Sequence, residues 1–384
     1  MTSTDGDATV SAAQAAGILG VRVPTVYAYV SRGVLARVLH VDEAGHRSSR
    51  FDRAEVLRLA EVRRRPGAGM RVLIESDITQ LDPSGRLGFR GLDLGEVLGL
   101  GSYEQTAAHL WQAEIPGPWE MAPDVVAALQ LARPWLARVD DAGQRLRAAI
   151  TAAAGASEAA TGEGEVIAAA QQAVLAGIAG IASDVETSAV TDVDVVTRLL
   201  RALGAEISEP THRLLTTTLS VLVDHELSAS TVAARVAASL HADPWSCLLT
   251  GLHAMSGERQ AGSVRRAADL LEQWCAGGGL ATQAPESFGH IVYERSDPRF
   301  EAVLDVLAEV DAELHAAVVD LTVAVAREHS AFANIDLGLA AVARHLGVPS
   351  STASALFLLA RIPGLAAHVI EERPHDLRFR PRSL

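Results

Sequence analysis

The 384-residue chain contains no lysine. Its 33 basic side chains are therefore all arginines, a usage that points to GC-rich coding and leaves every cationic contact to a guanidinium fork. Cysteine is nearly absent as well. Cys247 and Cys275 are too few and too isolated for a disulfide framework or a metal site, so two core thiols in a reducing, cytoplasmic setting are expected. Aromatics make up 4% of residues. No apolar run approaches the ~20 residues that cross a bilayer, and no basic-then-apolar leader opens the chain, so a soluble, unexported protein without a membrane partner is expected. The 47 acids outnumber the arginines, for a net charge of −14, which argues against coating of nucleic acid or membrane by the chain as a whole. What is abundant is apolar surface, at 49% of residues, over a length beyond one ordinary domain. A multidomain globular chain is the expectation.

The first 66 residues are patterned differently from the rest. After a polar start at Met1–Ala8, Ser11 and Gln14 make a capping box for a helix that Gly20 closes. Pro24 and Thr25 open a second helix through Tyr27, Tyr29 and Val30 to Gly33. Val34–His40 and Arg47–Phe51 read as strands around an Asp42–Gly45 turn, and Asp52 caps a third helix. Between Arg22 and Arg65 there are ten arginines against five acids, a basic stretch in an acidic protein. The order helix, helix, wing, helix, with Leu19–Gly20–Val21 and Thr25–Val26–Tyr27, resembles winged helix-turn-helix DNA-binding domains of the MerR and excisionase type. That resemblance implies DNA contact through Arg22, Thr25, Tyr27 and Arg32. A module that only stabilises a dimer fits the same residues.

From residue 67 to 384 the pattern is all-α. Val125–Val139, Val195–Ala205, Thr231–Met255 and Phe300–Arg327 repeat apolar residues at three- and four-residue spacing. Gly155–Gly164 reads as a loosened connection, and Gly277–Gly279 as a break.

Several separated stretches of this region resemble citrate synthases. They are Glu75–Thr79 with Gly85–Leu94, Asp224–Thr231 (Asp-His-Glu-Leu-Ser-Ala-Ser-Thr), Ser287–Arg299, Asn334–Asp336, Ala360–Arg361 with Gly364–His368, and Arg380–Arg382. The resemblance implies a two-lobed, all-helical fold, with a large lobe of about 67–260 and 345–384 and a small lobe of about 261–344. It further implies condensation of acetyl-CoA or a related acyl-CoA with oxaloacetate to give citrate or an alkylcitrate and CoA. No cofactor is bound in such a reaction, since the CoA thioester is a substrate. His225, Arg299, Arg361 and Arg380 would bind oxaloacetate, with Arg380 reaching across a homodimer. His290 would polarise the ketone, and Asp336 would be the carbon base. Arginine forks suit such a substrate because their donors pair two carboxylate oxygens at once.

The chain departs from the family at one loop. Where the family reads His-Gly-Gly-Ala-Asn-Glu, this sequence has Gln260–Ala261–Gly262–Ser263–Val264–Arg265. Gln260 offers amide N–H groups to an enolate oxygen in place of the histidine, and Ala261 adds a Cβ where the family has glycine. His253, seven residues earlier, reads as a buried or capping residue, not a substitute. Two functions fit these residues. One is a synthase of altered or reduced activity. The other is a catalytically degenerate regulator that senses a dicarboxylate and binds DNA.

Overall fold

The computed structural model describes residues 9–21, 23–31, 35–41, 47–53, 55–57, 74–115, 117–157, 162–182, 193–258, 260–280, 287–375 and 379. The chain divides into two compact units, Met1–Glu75 and Ser76–Leu384, each with its own apolar cluster.

The first unit runs β1 (Thr9–Ser11), α1 (Ala12–Leu19), α2 (Val23–Ser31), β2 (Val38–Val41) and β3 (Arg47–Asp52). The capping box forms: the Ser11 hydroxyl accepts the Gln14 amide at 3.2 Å, and Gln14 Oε1 accepts the Ser11 amide at 2.9 Å. Gly20 ends α1 at φ 64°, a left-handed conformation that a Cβ resists. The strands form an antiparallel sheet in the order β1-β3-β2, which pairs Val10 with Phe51 and Val38 with Arg50. β1 was not expected, because three residues carry too little alternation to be read. Asp52 does act as a cap, accepting the Glu55 amide at 2.8 Å. Arg22, Arg32, Gly33 and the Asp42–Gly45 turn lie outside the described residues.

The second unit is not wholly helical. It opens with an antiparallel meander of β4 (Thr79–Leu81), β5 (Leu87–Phe89) and β6 (Leu92–Asp93). Gly88 lets β5 and β6 close, since a Cβ there would stand 2.5 Å from the Leu92 carbonyl oxygen. Helices make up the remainder: α3 (Leu94–Leu98), α4 (Tyr103–Trp111), α5 (Pro123–Leu136), α6 (Ala142–Ala156), α7 (Glu163–Ala182), α8 (Val195–Leu203) and α9 (Glu209–Val221). After them come α10 (Ala229–Ser239), α11 (Pro244–Met255), α12 (Ala261–Cys275), α13 (Pro298–Val310), α14 (Ala312–His329), α15 (Ile335–His345), α16 (Ser350–Ala360) and α17 (Ile362–Glu372).

Four expectations need correction. Phe300–Arg327 is two helices, parted at Asp311, which closes α13 and accepts the Leu314 amide at 3.0 Å to start α14. Thr231–Met255 is two helices: His241 turns left-handed at φ 54°, and Asp243 accepts the Ser246 amide to start α11 with Pro244 at its first position. Cys247 is buried, but Cys275, on the last turn of α12, is exposed. Two stretches are also long and apolar enough to span a bilayer, Glu163–Ala182 and Ser350–Glu372. They are core helices here, with 67% and 94% of their apolar windows buried in the fold. Their apolar character reflects packing against protein, nearly complete for the second stretch and partial for the first.

Helix ends carry the residues of interest. His225 comes after the C-terminus of α9, Gln260 stands at the N-cap of α12, and Arg299 and Asp336 lie in the first turns of α13 and α15. Arg361 is the junction residue between α16 and α17. α12 packs on α15 and α16, and α9 on α13, which draws these ends together.

Candidate active site

A cavity of about 470 Å³ is lined by His225, Gln260, Ser263, His290, Arg299, Asp336, Phe357 and Arg361, among others. Six of the residues singled out in the sequence thus meet around one space. Arg380, Arg22 and Arg32 lie outside the described residues, and Thr25 and Tyr27 sit on α2 in the other unit. His253 is exposed and does not line the cavity, because the last turn of α11 presents it to solvent while Met255 turns inward.

The loop carrying His290 is fastened to the start of α15. Asn334 caps that helix by accepting the Asp336 amide at 2.9 Å, and its Nδ2 donates to the Gly289 carbonyl at 2.8 Å. The Gly289 amide, at φ 75°, donates to the Phe332 carbonyl at 2.7 Å. One side chain therefore sets the separation of His290 and Asp336. Asp297 ties the next turn: it accepts Nε and Nη2 of Arg299 at 2.9 and 2.7 Å and the Ile335 amide at 3.0 Å. Burial opposes charge on both members of this pair, but their attraction outweighs it, holding Asp297 acidic and Arg299 cationic.

The tautomer of His290 is set by its neighbours. The Val292 amide donates to Nδ1 at 3.1 Å and the Tyr293 amide approaches it at 3.4 Å, so Nδ1 is an acceptor and the proton is on Nε2. Burial, reinforced by Arg299, pushes its pKa down to about 4, and the ring is neutral at physiological pH. His225 is likewise held well below its ordinary value by burial and by Arg299 and Arg361. It shares a hydrogen bond of 3.0 Å with Tyr293 and lies edge-on to His290 at 4.9 Å.

Asp336 differs from the other carboxylates nearby. Burial raises its pKa to about 6, against the pull of the Ser263 hydroxyl and Arg299. The Ser263 hydroxyl proton goes to the Gln260 carbonyl at 2.6 Å. Gln260 makes no side-chain cap for α12, and its Oε1 is buried without a partner among the described residues. Arg361 is buried too, with Nε and Nη1 lacking hydrogen-bond acceptors among the described residues, and burial lowers its pKa to about 10.

The arrangement offers a carboxylate poised to take a proton near neutrality, a neutral N–H donor, and a guanidinium with open donors. Proton abstraction next to a polarised carbonyl needs such a set. Asn334, Asp297, Tyr293 and Ser263 had no role assigned from sequence. The signal for Asp297 was its position as an Asp before Pro298, the mark of a helix start.

The family model for the citrate synthase C-terminal domain matches residues 68–382. The 2-methylcitrate synthase of Shewanella oneidensis is 26% identical over 218 residues, 53% of this chain and 57% of that one. The citrate/2-methylcitrate synthase of Bacillus subtilis is 30% identical over 174 residues, 41% and 47% of the two. The chain spans about half the length of the curated relatives it matches. Among solved structures, citrate synthase from Thermotoga maritima aligns with a TM-score of 0.63 at 24% identity, over 82% of this chain and 93% of that one. The Thermoplasma acidophilum enzyme, in a ternary complex with carboxymethyl coenzyme A and oxaloacetate, gives 0.65 at 21%, over 81% and 93%. These structural likenesses speak to the fold, and the match over residues 68–382 speaks to descent: the chain belongs to the citrate synthase family.

Proposed function

We propose that the chain condenses an acyl-CoA with oxaloacetate, giving citrate or an alkylcitrate and CoA. The observation that carries this reading is Asp336, a carboxyl with its pKa raised to about 6 beside a neutral His290 whose N–H is on Nε2. A dicarboxylate sensor has no use for such a base, so condensation is preferred over the regulator.

In the proposed cycle Asp336 takes a proton from the carbon next to the thioester, and Gln260 donates an amide N–H to the enolate oxygen. His290 donates from Nε2 to the ketone oxygen of oxaloacetate, making its carbon electrophilic for attack by the enolate. His225, Arg299 and Arg361 hold oxaloacetate, with Arg380 reaching in from the partner of a homodimer. Water then cleaves the thioester and releases CoA. Closure of a small lobe of about 261–344 over a large lobe would exclude solvent from the enolate.

Gln260 sets the rate in this scheme. Loss of one oxyanion donor typically costs about 10²–10³ in turnover, and an amide recovers part of that. For Met1–Glu75 we infer a winged helix-turn-helix, supported by the capped α1, the left-handed Gly20 before α2 and the β2–β3 pair. Thr25 and Tyr27 on α2, with Arg22 and Arg32, would meet DNA, and the setting would be cytoplasmic.

The test is release of free thiol from acetyl-, propionyl- and longer acyl-CoAs mixed with oxaloacetate and purified protein. Slow release is expected, abolished by Asp336→Asn and raised about 10-fold or more by Gln260→His. Absence of thiol release with every acyl-CoA would sink the proposal.

A further inference from the structure

Arg361 and Asp224 face each other without bonding. Arg361 Nη1 lies 3.9 Å from Asp224 Oδ1, beyond hydrogen-bond range, and neither atom has another partner among the described residues. Both side chains are buried. Unpaired buried donors and acceptors are costly, so the gap calls for a physical cause.

The cause lies on the far side of Asp224. Its other oxygen, Oδ2, accepts the Thr79 hydroxyl at 2.5 Å and the Glu226 amide at 3.0 Å, and it meets His368 Nε2 at 3.2 Å. Arg235 Nη1 donates to His368 Nδ1 at 2.8 Å, so the His368 proton is on Nε2 and points to Asp224. Arg235 is anchored in turn, through Nε to Glu372 at 2.7 Å and Nη1 to Glu371 at 2.6 Å. Gly364 presses against the same carboxylate, since a Cβ there would lie 2.7 Å from Oδ1. Three donors thus hold Asp224 by one oxygen and keep it from taking the donors of Arg361.

We propose that Asp224 is a positioning residue. It supplies the counter-charge that keeps buried Arg361 cationic while leaving its N–H groups for a substrate carboxylate, and the His368–Arg235 relay holds it in that posture. The contrast with Arg299 supports this, because Nε and Nη2 of Arg299 are already occupied by Asp297. Arg361 is the arginine of the cavity wall with buried donors still open. Burial already lowers its pKa to about 10, so loss of the counter-charge would weaken it further. The inference rests on the reading of the cavity as a ketodicarboxylate site.

Calorimetric binding of oxaloacetate to the full chain tests it, with Asp224→Asn, His368→Leu and Thr79→Val. His368→Leu and Thr79→Val keep the Asp224 charge but remove one of the donors that hold it, so they decide the matter if Asp224→Asn does not fold. Oxaloacetate affinity and KM are expected to weaken by about 10-fold in Asp224→Asn and several-fold in the other two, with the KM for acyl-CoA changing far less. A purely structural role would move both substrates together with the melting temperature. If wild type binds no oxaloacetate, the underlying function falls and this inference with it. If wild type binds and the folded Thr79→Val and His368→Leu bind equally well, the inference alone falls.

Discussion

Replacing Asp336 by asparagine should abolish turnover and stabilise the protein at the same time. The reason lies in proton linkage. Burial lifts the Asp336 pKa from 3.8 to about 6, so the folded state holds this proton more tightly than the unfolded chain does. Below pH 3.8 both states are protonated and the contribution to stability is fully present. As pH rises the unfolded chain ionises first, and the contribution is lost, completely so above about pH 6. At about 1.4 kcal/mol per pH unit the full loss is about 3 kcal/mol, and roughly half of it falls between pH 5 and 8. Asparagine has no proton to lose and escapes that penalty. Urea denaturation of wild type and Asp336→Asn at pH 5 and pH 8 reads the difference directly. The stability gap should move in favour of the variant by about 1.5 kcal/mol between the two pH values. Wild-type turnover should rise with pH and reach half its plateau near pH 6. A gap that stays constant with pH, or one that moves against the variant, would refute the assignment of Asp336 as a carboxyl strained by burial.

Two further outcomes test the supports of the site. Asn334→Ala should cost about 1 kcal/mol through the lost cap of α15. Asn334→Ser, which keeps a capping oxygen but loses the bond to Gly289, should regain that stability in denaturation curves without regaining kcat. Gly364→Ala places a Cβ 2.1 Å from the Val223 carbonyl oxygen. It should lower stability by about 1–3 kcal/mol and raise the KM for oxaloacetate. A variant with wild-type melting and KM would show that the approach of α17 to Val223–Asp224 is not needed.

The residues that face the cavity were legible because they sit in short motifs that resemble a known family's, although His225 or Asp336 taken alone reads as a helix-end residue. Long helices were legible from their apolar spacing. The breaks were harder: His241 in a left-handed turn and the meander's strands of two or three residues leave almost no periodic trace. What could not be read at all is the network behind the cavity. Asp224 meets Thr79 across 145 residues and His368 across 144, and His368 meets Arg235 across 133. Nothing in local sequence marks such pairs. Arg235 in particular looks like one more polar residue on an amphipathic helix, yet it is fully buried.

The two walls of the cavity differ in how far their polar groups are satisfied. On the wall of α13 and α15, Asp297 and Asn334 bind both side chains and backbone, so Arg299, His290 and Asp336 are held from several directions. At the N-cap of α12 the backbone of Gln260 stands at φ −128° and ψ −96°, no side chain caps the helix, and the amide oxygen is buried unpaired among the described residues. A buried unpaired acceptor costs about 1–3 kcal/mol, which a ligand donor or a turn of the amide would recover. The residues that depart from the motif the loop resembles, Gln260, Ala261 and Ser263 to Arg265, begin at that same helix end. The departures thus begin on the less satisfied wall, while the groups proposed for proton abstraction and carbonyl polarisation stand on the wall that Asp297 and Asn334 brace.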